Sequence, residues 1–120
     1  MKTLFLFCWD KTAAQQKAKE LRSAGWKVDV ESEDGARGGK KVLTTQPRVV
    51  VMDLAKRPSH SRETAQGLRS YKAGRDIPII FVDGSDDDIK KTKVKVPDGI
   101  FITSAGLAEA LERYLEPVDH

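Results

Sequence analysis

Four polar residues stand directly after short apolar runs in this chain: Asp10 after Leu4–Trp9, Asp53 after Val49–Met52, Asp83 after Ile79–Val82 and Thr103 after Ile100–Ile102. Carboxylates placed together are ligands for a hard cation, and magnesium accepts one or two of them with water completing its shell. Two carboxylates about 6 Å apart repel by roughly 3 kcal/mol at an effective dielectric near 20, and a cation relieves that repulsion. Asp10, Asp53 and Asp83 are therefore a candidate magnesium site, with an expected affinity no better than about millimolar. Each also has a plainer role open to it. Asp10 would cap a helix, Asp53 would end a strand at a solvated loop, and Asp83 with Gly84 would make a turn.

A second polar cluster, Lys56-Arg57-Pro58-Ser59-His60-Ser61-Arg62-Glu63, leads away from Asp53. Its hydroxyls, arginines and histidine suit an anion at a helix N-terminus. The alternative is simple capping by Ser59 or Ser61 among exposed charges. One histidine without a placed nucleophile specifies no reaction. Cys8 lies inside an apolar run and reads as a small buried hydrophobe. As the single cysteine it makes neither an internal disulfide nor a zinc site. Trp9 and Trp26 are expected to fill core or rim space, because nothing pairs them as a stacking platform.

Elements that position these residues follow from periodicity. At 120 residues, 39% apolar and 32% charged, the chain has the size and composition of one domain spanning residues 1–120. Its net charge of +3 is mild, and the lysines at 90, 91, 93 and 95 follow directly on the acids Asp86-Asp87-Asp88. That pattern describes a solvated face, so no nucleic-acid partner is expected. The first apolar run is too short for a membrane span and lacks a cleavage pattern, so a cytoplasmic location is expected.

Apolar runs and helical stretches alternate about five times. Strand one covers Leu4 to Trp9, and helix one follows with Thr12 and Gln15 spaced as a capping box. Its inward stripe is Ala14, Ala18 and Leu21, and Gly25 ends it. The run 27–31 alternates and belongs at a sheet edge. Helix two lies within 34–46, with Gly35, Gly38 and Gly39 leaving its start open. Val49-Val50-Val51-Met52 is the most strongly β-branched run and the expected centre of the sheet. Helix three spans roughly 61–72, strand four 79–82, a short helix four lies within 86–96, and strand five covers 100–102. Helix five begins near Ser104 and presents Leu107, Leu111, Tyr114 and Leu115. This alternation predicts a three-layer α/β/α domain with a five-stranded parallel sheet. Short right-handed crossovers favour the flavodoxin-like order 2-1-3-4-5, with its switch point between strands one and three.

Val49-Val50-Val51-Met52-Asp53-Leu54, Asp76-Ile77-Pro78-Ile79-Ile80-Phe81-Val82 and Pro97-Asp98-Gly99-Ile100-Phe101-Ile102 occur in an order and spacing that resembles the receiver domain of bacterial response regulators. The resemblance covers essentially the whole chain. It implies a phosphate-accepting aspartate at Asp53, with Pro58 matching the family's following proline one residue late. It also implies a magnesium site, to which Asp10 contributes. Three positions depart from the pattern. Trp9 stands where the first of two metal-binding acids is expected, Asp83 replaces a serine or threonine, and Thr103 replaces a lysine and is followed by Ser104 instead of proline. The resemblance is thus to an atypical receiver, or pseudo-receiver, in which Asp53 is expected to be inactive.

The expected function is that of a stand-alone receiver-like signalling domain. It would act by contact with an unidentified signalling protein, as a monomer or weak homodimer, and not as an enzyme. With His120 as the last residue, a signal is expected to pass to a separate partner through the surface of helix four, strand five and helix five. Two alternatives stand beside it. One is a genuine phosphoacceptor that uses Asp53. The other is a small-anion or nucleotide binder at the switch-point cleft, which no glycine-rich phosphate loop supports.

Overall fold

A computed structural model describes residues 2–115. Residues 116–120, among them His120, lie outside the described part, as does Met1. Five parallel strands form one sheet in the order β2-β1-β3-β4-β5. They are β1 (Thr3–Phe7), β2 (Lys27–Glu31), β3 (Val49–Asp53), β4 (Ile79–Val82) and β5 (Ile100–Ile102). The helices between and after them are α1 (Lys11–Ser23), α2 (Gly35–Thr45), α3 (Pro58–Arg69), α4 (Asp86–Lys95) and α5 (Leu107–Leu115). The predicted fold class and strand order are those observed.

Alternation along the strands divides the apolar side chains between two cores. Leu4, Leu6, Val49, Val51, Ile80 and Val82 pack on one face with Ala14, Ala18 and Leu21 of α1 and Leu107 and Leu111 of α5. Phe5, Phe7, Val50, Met52, Ile79 and Phe81 pack on the other face with Val42 of α2 and Ala65 and Leu68 of α3. All five residues of β3 are buried, as a strand covered on both faces requires. By contrast β2 alternates in exposure and sits at the edge.

Several boundaries differ from those the sequence suggests, each for a local reason. β1 ends at Phe7, and Asp10 rather than the Thr12–Gln15 pair caps α1, its carboxylate accepting the Ala13 N–H at 3.1 Å. α2 begins at Gly35, and two of the three glycines that left its start open, Gly35 and Gly38, are needed for close packing. A Cβ at Gly35 would overlap the Thr64 hydroxyl, and one at Gly38 would overlap the Phe7 ring and the Glu31 side chain. α3 starts at Pro58, three residues earlier than expected, and neither Ser59 nor Ser61 caps it. Its N-cap is Arg57, in the left-handed region at φ 49°, and no side chain bonds the cap. Proline at the first helical position explains the early start, since its fixed φ suits a helix and its missing N–H needs no partner. A single 3₁₀ turn at Ser104–Gly106 precedes α5.

One ion pair fixes the start of α2. Glu31, buried at the end of β2, accepts two bonds from the Arg37 guanidinium at 2.8 and 2.7 Å and the N–H groups of Glu33 and Asp34. The Arg37 bond, opposed by burial and helped by the two N–H groups, holds the Glu31 carboxyl down at about 2. A depressed folded-state pKa stabilises the protein above the unfolded value and is lost as pH falls. Stability is therefore expected to decline between about pH 4.5 and pH 2, by on the order of 1–2 kcal/mol once the exposure of Arg37 is allowed for. Denaturant unfolding of the protein and of Glu31→Gln across this range checks it, and the variant should lack that component of the decline. Separately, Leu6→Ala or Ile80→Ala should each cost about 2–5 kcal/mol, because both side chains are fully buried in central strands.

Candidate functional site

The carboxyl ends of β1, β3, β4 and β5 bring Asp10, Asp53, Asp83 and Thr103 to one edge of the sheet, as the topology requires. Asp53 is the last residue of β3 and is only 5% exposed. Its carboxylate folds back on the chain that follows, accepting the N–H of Ala55 at 3.1 Å and of Lys56 at 3.3 Å. Asp10 spends one carboxylate oxygen on capping α1. The other accepts a 2.9 Å bond from the Lys56 ammonium. That ammonium, together with the Ala13 N–H, lowers the Asp10 pKa, and Asp10 in turn raises that of Lys56, with Asp53 adding a smaller pull. Lys56 thus touches both acids of the cleft, one through its main chain and one through its side chain.

Asp83 points its bonds elsewhere. It adopts a left-handed backbone at φ 59°, and its carboxylate accepts both the Ser104 N–H, at 2.7 Å, and the Ser104 hydroxyl. Burial works to raise its pKa, but the two Ser104 bonds outweigh it and the net shift is downward. The Ser104 hydroxyl also accepts a 3.0 Å bond from Lys17. Asp83 therefore caps the 3₁₀ turn that leads into α5. The sequence placed Asp83 in a turn with Gly84; its left-handed φ suits such a turn, but its carboxylate serves Ser104, and the expected trio of carboxylates is not assembled among the described residues. Among the described residues no three His, Cys, Asp or Glu side chains are grouped to hold a metal. The magnesium ion implied by the receiver resemblance finds two carboxylates here, one already taken by a lysine. The residues present do not fit a resident divalent cation.

Trp9 explains part of this arrangement. Its ring is buried against Phe7 and sits edge-on to His60, with centroids 4.1 Å apart. A buried indole N–H needs an acceptor. It finds the Ser61 hydroxyl at 2.7 Å, and that hydroxyl donates to the main-chain carbonyl of Asp53 at 2.6 Å. Ser61 is fully buried and joins the segment after β1, the end of β3 and α3 in one chain of hydrogen bonds. The sequence offered Ser61 only as a cap. The signal that could have found it is a hydroxyl three residues after the helix-starting Pro58, within reach of a tryptophan that must pair. His60 leaves its buried Nε2 without a partner among the described residues. Cys8 is buried as expected, and burial pushes its thiol pKa up, away from thiolate chemistry.

The likeness to known structures is one of fold. The structure superposes on chemotaxis protein CheY4 of Vibrio cholerae with a TM-score of 0.79 at 17% identity, covering 95% of this chain and 98% of that one. A response regulator from Burkholderia multivorans matches at 0.70 and 25% identity, over 100% of this chain and 99% of the other. The Thermotoga maritima response regulator TrrA, solved in complex with Mg(2+)-BeF, matches at 0.76 and 18% identity, over 95% and 99%. No family model and no curated protein matches the sequence. The chain resembles the receiver domains of response regulators, and its fold is theirs, over nearly its whole length.

Removing the Ser61 hydroxyl would strand the Trp9 N–H in the core. Ser61→Ala is expected to destabilise the fold by about 1–3 kcal/mol, the usual cost of a buried donor left unpaired. Equilibrium unfolding in urea measures this, and an unchanged midpoint would show that the bond carries no weight.

Proposed function

We propose that this chain is a receiver-like signalling domain that acts by contact with another signalling protein and does not carry a phosphoryl group. The observation that supports this most is the Lys56–Asp10 pair at 2.9 Å, which occupies the acid a receiver would turn toward metal. Three further features agree with it. A carboxylate, Asp83, stands at the hydroxyl position and is itself bonded to Ser104. Thr103 replaces the lysine that would face the phosphoryl oxygens. Trp9 fills the place of the first acid and is hydrogen-bonded into the core. A phosphoryl group on Asp53 would bring close to two negative charges beside Asp10, with Lys56, already paired to Asp10, as the cation at hand. Losing one preorganised donor to developing charge typically costs about 3–4 kcal/mol in catalysis.

What remains for such a domain is its surface. β5 lies at the sheet edge, with Ile100, Phe101 and Ile102 all half-exposed, and Lys93 lies over the Phe101 ring at 5.5 Å. Val94 of α4 is 77% exposed beside them in sequence. We read this α4–β5–α5 face as the contact surface for a protein partner in the cytoplasm. No helix of the described residues is long and apolar enough to cross a membrane.

The test is incubation with acetyl phosphate and magnesium, followed by intact mass and titration with beryllium fluoride. The expected outcome is no stable mass gain and no saturable shift of the Asp53 amide. A phosphoryl adduct mapped to Asp53 and lost in Asp53→Asn would instead make the chain a phosphoacceptor.

A further inference from the structure

The cleft departs from a metal site in a directed way. Its lysine is held where a cation would be needed. Two contacts fix the backbone there. The Lys56 N–H is bonded to the Asp53 carboxylate, and Ser61 ties the start of α3 to the Asp53 carbonyl. Between them the chain must turn sharply, and Arg57 does so in the left-handed region immediately before Pro58. From this turn the Lys56 side chain reaches back across the cleft to Asp10, 46 positions away in sequence. No side chain bonds the cap at Arg57.

We propose that Lys56 is the resident cation of this cleft and that its ammonium keeps divalent metal off Asp10 and Asp53. A divalent ion between these carboxylates would lie within a few ångströms of the ammonium, where like charges repel strongly even at a surface dielectric. It would also have to break the Asp10 bond to enter. Replacing Lys56 by a neutral side chain of similar length removes both obstacles and frees the Asp10 oxygen it holds, beside Asp53, and magnesium accepts one or two carboxylates with water completing its shell. The lysine side chain is 64% exposed, so the substitution leaves the core intact. This inference concerns metal access alone and stands or falls whether or not Asp53 ever carries phosphate.

The experiment compares the protein with Lys56→Met, Lys56→Arg and Lys56→Met/Asp10→Asn during magnesium chloride titration, with sodium chloride matched for ionic strength. Amide resonances of Asp10, Asp53 and residue 56 are followed by two-dimensional NMR, and thermal unfolding supplies a second readout. Lys56→Met should bind magnesium saturably in the millimolar range, at least about tenfold tighter than the unaltered chain. Lys56→Arg should behave as the unaltered chain does, and Asp10→Asn in the methionine background should abolish the gain. Equal affinity in the unaltered chain and Lys56→Met would overturn the proposal. So would a Lys56→Met variant that stays silent, since the lysine would then not be what excludes the metal.

Discussion

A tryptophan buried where its indole N–H must find an acceptor sets much of the geometry at the carboxyl edge of this sheet. Trp9 cannot face solvent, because Phe7 and His60 pack against it, so its donor has to be met inside. Ser61 meets it, and its own hydroxyl donates a hydrogen bond to the main-chain carbonyl of Asp53. The first turn of α3 is thereby pinned to the end of β3. A helix pinned so close to its strand leaves a short connection, and that connection carries the left-handed Arg57 and throws Lys56 back over Asp10. The indole at position 9, the left-handed turn and the lysine counter-ion thus occur together at one edge of the sheet.

The sheet beneath makes such changes affordable to the fold. Its two cores are built from alternating strand residues and do not involve Asp10, Asp83 or Thr103. Chemistry at the strand ends is thus separable from stability in the strands. Asp83 shows the same independence: its carboxylate binds Ser104 at the start of the turn before α5. The cleft keeps the topology of a receiver while each side chain in it satisfies a neighbour in its own chain.

How much of this was legible beforehand follows from which forces act locally. The strands, their order and the buried stripes of α1 and α5 were readable because period and β-branching are written into adjacent residues. Asp10 as a cap and Asp83 as a turn residue were also readable, as alternatives to a metal site. The choice between those roles depends on Lys56 and Ser104, which lie 46 and 21 positions away, and no local pattern announces such pairs. The start of α3 was misplaced for a related reason. Serines at 59 and 61 look like caps, but Pro58 sets the helix and Ser61 is drawn inward by an indole 52 positions earlier. The glycines of α2 misled in the opposite sense: they weaken a helix in isolation, yet Gly35 and Gly38 are what allow it to pack on α3 and Phe7.

The central claim is that the cation of this cleft is a side chain of the protein itself. A crystal structure of the full chain grown in the presence of magnesium and beryllium fluoride at neutral pH tests it most directly. The account predicts that the Lys56 ammonium stays within hydrogen-bonding distance of the Asp10 carboxylate, and that Asp53 still faces the Ala55 and Lys56 N–H groups without an adduct. A magnesium ion bridging Asp10 and Asp53, with Lys56 displaced into solvent and beryllium fluoride on Asp53, would contradict it.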